Sequence, residues 1–185
     1  MNIFIHLKKI KSQGKKSHIR LFYTFAPQIR PLIMNTSSPR ILIVCSSDHG
    51  STRELVNQIA SQHPVKVVLA SEIRQGEDYA DYDIIGFASG IIFGRCHKSI
   101  AKAIAKLPSG KGCFYLFTCD NMKDSYSSHT KALVEAQDCH WLGSFGCLGA
   151  FVLDKLLSRL LHKERKRPTL SDRQSAERFY GNLIK

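Results

Sequence analysis

From residue 41 onward, short apolar runs alternate with amphipathic stretches. Ile41-Leu-Ile-Val-Cys45 is a continuous, mostly β-branched run, the pattern of a strand buried on both faces. Val65–Ala70, Tyr82–Ala88 and Cys113–Thr118 predict three more strands, and Trp141–Val152 holds a weaker, Gly-rich fifth. Arg53–Gln62, Ile100–Leu107 and Ser128–Gln137 carry helical spacing between them. Ser171–Ile184 predicts a closing helix, with Ser171 as its cap and Ala176, Phe179, Tyr180 and Leu183 on one face. Buried strands alternating with helices predict an α/β fold, a doubly wound five-stranded parallel sheet in a three-layer sandwich. Such sheets bind ligands beyond the carboxyl ends of their strands, which directs attention to the loops after strands one, three and four.

Residues 1–39 differ in kind. They are basic and acid-free, and they hold Pro27, Pro31 and Pro39. Lys8, Lys9 and Lys11 interrupt the apolar stretch that a secretory signal would need. The segment reads as a disordered or targeting leader before a domain at 40–185, or as chain upstream of a true start at Met34. No apolar run approaches the roughly 18 residues of a membrane-spanning helix.

The loop after strand one is Ser46-Ser47-Asp48-His49-Gly50-Ser51-Thr52. Hydroxyls surround a glycine just before a helix whose free amides and positive dipole end point back at the loop. That combination suits an anion. The loop has no G-x-x-x-x-G-K-[ST], which argues against a nucleoside triphosphatase, and no G-x-G-x-x-G of a dinucleotide site. An ordinary helix start is the alternative.

The stretch Ile41–Ala60 resembles the flavodoxin signature, a strand followed by T-x-T-G-x-T and a helix. Ser47, Gly50 and Thr52 fall on fixed positions, and His49 replaces the middle Thr. The resemblance implies strand order 2-1-3-4-5 and FMN as cofactor. Ser46, Ser47, Asp48, His49, Gly50, Ser51 and Thr52 would wrap its phosphate without counter-charges, Asp48 pointing outward. Asp83–Gly94 is similar to the flavodoxin pattern D-x-x-x-x-G-S-P-x-Y-x-G. Ala88, Ser89, Gly90, Ile91, Ile92, Phe93 and Gly94 would then form the second flavin loop, small residues admitting the ring edge and Ile91 to Phe93 covering it. These three can also be read as core. Thr118, Cys119 and Asp120 would supply the third loop, with Tyr126 either stacking on the ring or covering the loop.

The formal net charge of +12 first suggests a polyanion partner. Its distribution changes that. Residues 1–40 hold eight Lys/Arg and no acid, and Lys155–Arg167 holds six bases and one acid, so the remainder is close to neutral. Without a groove-reading motif, nucleic acid is excluded as partner. Leu153, Leu156, Leu157, Leu160 and Leu161 repeat at helical spacing among basic residues. That amphipathic stretch suits packing on the sheet, or peripheral contact of 151–167 with an anionic membrane.

Here the chain also resembles the flavodoxin-type, quinone-dependent protoporphyrinogen oxidase branch, through Ile91, Gly94 and His97. Six cysteines without C-x-x-C or zinc spacing predict buried thiols in a reducing, cytoplasmic compartment and no metal site. The leading expectation is an FMN-binding electron-transfer protein served by a redox partner protein or quinone. A membrane-associated flavoenzyme and a flavin-free binding module are the alternatives. His49 and His97 are the nearby groups for proton handling.

Overall fold

The computed structural model describes residues 38–123, 125–150 and 167–185. The amphipathic stretch at 151–166 and nearly all of the 1–39 leader lie outside the described residues. Among the described residues, six strands form the sheet: β1 (Ile41–Cys45), β2 (Lys66–Leu69), β3 (Ile84–Ile92), β4 (Arg95–Cys96), β5 (Gly112–Cys119) and β6 (His140–Leu148). Among the same residues, four helices accompany them: α1 (Ser51–Ala60), α2 (Lys98–Ile104), α3 (Tyr126–Glu135) and α4 (Leu170–Leu183), with a short 3-10 helix at Gly76–Tyr79. The strand order is β2-β1-β3-β5-β6, all parallel, and the two-residue β4 pairs antiparallel with the end of β3. This is the expected five-strand order with one short strand added.

Side-chain alternation splits the core into two layers. On β5, Cys113, Tyr115, Phe117 and Cys119 join Ile85, Phe87, Ile100, Ile104 and Val134 on the side of α2 and α3. Phe114 and Leu116 join Ile43, Val56, Ile59 and Tyr180 on the side of α1 and α4. Glycines allow two aromatic rings to lie across neighbouring strands. Gly86 pairs with Phe114 and Gly146 with Phe117. A Cβ at either glycine would overlap the partner's ring.

Two expectations change. α4 is capped by Thr169 rather than Ser171: the Thr169 Oγ1 accepts from the Asp172 amide at 3.1 Å, and the Asp172 carboxylate accepts from the Thr169 amide at 2.8 Å. This reciprocal box places Ser171 inside the first turn. Strand three runs on past Ala88 to Ile92, because Ser89 and Gly90 remain paired with Phe117 and Thr118.

All six cysteines are free and buried. Burial pushes the Cys45 thiol up to about 11 and the Cys147 thiol up to about 12. Unfolded thiols ionise near 9 while these stay neutral, so folding stability is intact below that pH and is lost as pH rises toward 11 and 12. The urea midpoint is expected to fall between pH 8.5 and 10.5, and replacing Cys45 and Cys147 with Ala should shrink the fall. An unchanged slope in that variant would refute the assignment.

Candidate functional site

The carboxyl ends of β1, β3 and β5 bring the three predicted loops together. The Ser46 amide donates to the Ala88 carbonyl at 2.9 Å, which ties the first loop to the start of the second. The Thr52 and Thr118 hydroxyls lie 2.7 Å apart and buried, which ties the first to the third. Gly50 takes φ 88 and ψ 179, a conformation open essentially to glycine alone, and α1 starts at the next residue. A Cβ there would meet nothing within 4 Å, so the space above it is open. Among the described residues, the amides of His49 to Arg53 have no protein acceptor. They are the unsatisfied donors of a helix N-terminus, with the positive dipole end behind them.

The side chains of this loop are largely engaged already. Ser47 Oγ donates to the His49 carbonyl at 2.9 Å. Ser51 Oγ accepts from the Ala150 amide at 2.9 Å and donates to the Arg167 carbonyl at 3.2 Å. Gly149 is held close as well, since a Cβ there would sit 3.0 Å from Thr118 and 3.3 Å from Ser51. Asp48 and His49 form an exposed pair, Oδ1 to Nδ1 2.6 Å. The His49 hydrogen bond holds the Asp48 carboxyl below its ordinary range.

The second predicted loop is a hairpin rather than an open loop. Ala88 to Ile92 belong to β3, and only Phe93 and Gly94 turn, with φ 49 and 78 before Arg95 pairs back with Ile92. Two successive positive φ values define a type I′ turn. Gly94 suits it, but Phe93 is strained there and its ring is fully exposed. Ile92 is half exposed beside it, and Met122 from the third loop is exposed to a similar degree. Ile91 instead faces the core.

Ser89 is buried too. Its hydroxyl lies 2.7 Å from Tyr115 OH and accepts from the His97 amide at 3.2 Å, which pins the base of the hairpin. Among the predicted site residues, Ala88, Ser89 and Ile91 therefore offer a ligand backbone rather than side chain. Cys119 is buried against the Cys147 carbonyl and Met122 sulfur, while Asp120 is exposed. Tyr126 packs edge-on against Phe117 under Gly94 and so covers the loop from below. His97 caps α2, its Nδ1 accepting from the Ser99 amide at 3.2 Å. Sequence reasoning missed Met122, Gly149, Ala150 and Arg167. The last three reach the site through the return of a distant segment, for which no local pattern exists.

The site therefore offers an anion cradle of helix amides at β1 and an apolar, outward-facing rim at β3 and β5. This donor set fits a phosphate group, and the rim of Ile92, Phe93 and Met122 fits a flat apolar ring.

No protein-family model matches the chain. It is 24% identical over 150 residues to an uncharacterized protein of Methanocaldococcus jannaschii, covering 78% of this chain and 97% of that one. It superposes on the two-electron reduced flavodoxin of Megasphaera elsdenii with TM-score 0.53 and 16% identity, over 76% of this chain and 98% of that chain. An NADH:FMN oxidoreductase matches with TM-score 0.52 and 9% identity, over 79% of this chain and 88% of that chain. Sheet order, helix placement and these superpositions agree: the chain has the flavodoxin-like fold.

Proposed function

We propose that this protein binds FMN at the carboxyl ends of β1, β3 and β5 and serves as a redox protein. The observation that carries the reading is the set of amides from His49 to Arg53 that have no protein acceptor among the described residues, beside Gly50 with open space above it and an exposed apolar rim at β3 and β5. The FMN phosphate would lie on the amides and the Ser46 hydroxyl. The ring would lie against Ile92, Phe93 and Met122. FMN, when bound, supplies the electron-accepting ring. The chain's own part is to orient that ring and shield one face, with Ser89 and Tyr115 fixing the hairpin that carries Phe93. No acid or base is needed for simple electron transfer. The likeness to a flavodoxin and to an NADH:FMN oxidoreductase supports the cofactor class.

The test is direct. The purified full chain is expected to show flavin absorption, or to quench added FMN fluorescence with one equivalent bound. A colourless protein that leaves FMN fluorescence unchanged would refute the reading.

A further inference from the structure

The loop after β5 ends in a pair of sulfur atoms. Met122 Sδ lies 3.3 Å from Cys119 Sγ. The two residues differ in access. Cys119 is 4% exposed and Met122 is 48% exposed. All six cysteines are buried, and Met1 and Met34 lie outside the described residues. Among the described residues, Met122 is therefore the one exposed residue that carries sulfur.

Burial also decides which sulfur reacts with an oxidant. Peroxide takes up a thiolate, not a thiol. Burial, with the Asp120 carboxylate adding to it, pushes the Cys119 thiol above its ordinary value, so it stays protonated at neutral pH. A thioether has no proton to lose, and exposure alone sets its susceptibility. The contact with Cys119 adds a direction. A thioether sulfur has two lone pairs, and oxidation at one or the other gives two different sulfoxide epimers. Cys119 Sγ, with its S–H as the only donor of the pair, stands against one side of Sδ. An oxidant can reach Sδ only from the other side.

We propose that Met122 is a redox modification site, converted by hydrogen peroxide to a single sulfoxide epimer, and that the polar product weakens the apolar rim it shares with Ile92 and Phe93. In the reaction the free sulfur lone pair attacks one peroxide oxygen. The O–O bond breaks and an S–O bond forms. The departing hydroxide takes the proton of the transferred OH and leaves as water. Sulfur gives up two electrons, and peroxide is reduced. The sulfoxide is polar and strongly hydrated, so covering it with an apolar ring costs part of that hydration. The modification stands on Met122 and Cys119 alone, while its effect on affinity rests on the FMN reading.

The experiment treats the full chain with limiting hydrogen peroxide, folded and in urea. Peptide mass spectrometry reads Met122 and the cysteines. Two reductases, each specific for one sulfoxide epimer, read the stereochemistry after digestion. In the folded chain, Met122 is expected to gain one oxygen while the cysteines stay unmodified, with one epimer in about tenfold excess. The unfolded chain and Cys119→Ala should give the two epimers in near-equal amounts. The FMN Kd of the oxidised chain should rise about fivefold. In Met122→Leu, whatever its own Kd, peroxide should leave that Kd unchanged, which separates Met122 from Met1 and Met34. Cysteines oxidised before Met122, equal epimers in the folded chain, or an unchanged FMN Kd after oxidation would overturn the proposal and leave the FMN reading standing. A chain that binds no FMN before oxidation overturns the FMN reading and the affinity effect with it, and the epimer ratio still decides the modification site.

Discussion

Gly50→Ala is expected to weaken FMN binding by about 10- to 100-fold while the sheet stays folded, the equivalent of about 1–3 kcal/mol of backbone strain. The φ of 88 with ψ of 179 is the cause. An alanine gains no clash at this position, because nothing lies within 4 Å of its Cβ. It can escape the strain only by rotating the peptide, and that turns the neighbouring amides away from the cradle. Its Cβ would also stand in the space where the phosphate of the proposed cofactor would lie. FMN fluorescence titration reads the affinity, and a thermal melt checks that folding survives. A Kd within threefold of wild type would remove Gly50 and the cradle from the site.

Gly86→Ala is expected to destabilise the fold by about 1–3 kcal/mol without touching the site. The added methyl would overlap the Phe114 ring, which lies across from it on β5 and is fully buried with Phe179 and Tyr180 around it. Moving that ring disturbs the layer under α4. The double variant Gly86→Ala/Phe114→Leu should recover part of the loss, measured as a coupling energy in urea denaturation. Additive losses would show that the ring is not what the methyl meets.

Much of this architecture was legible because burial writes itself into short runs. Ile41–Cys45 is apolar at every position because both faces of β1 are covered, and its limits were readable to the residue. The face of α4 was readable from Ala176, Phe179, Tyr180 and Leu183, which pack as their spacing requires. The cap of α4 was misplaced because two hydroxyls stand two residues apart. Asp172, three residues after Thr169, was the signal that decides between them.

The hairpin was read as a loop because Ser89 and Gly90 are poor strand formers. Their pairing with β5 is a tertiary fact that local propensity does not carry. For the same reason the Thr52–Thr118 hydrogen bond, between residues 66 positions apart, has no local trace. The cradle's backbone was thus visible in the sequence, while the engagement of its hydroxyls was not.

One hydroxyl, that of Ser51, holds both Ala150 and Arg167. Two backbone points far apart in sequence, the Ala150 amide and the Arg167 carbonyl, thus meet on one side-chain atom. Holding two such points together costs chain entropy that grows only with the logarithm of their separation, so doubling it adds about 0.6 kcal/mol. The Ser51 hydroxyl is therefore a pin: its loss would release both points at once, next to the loop that opens α1.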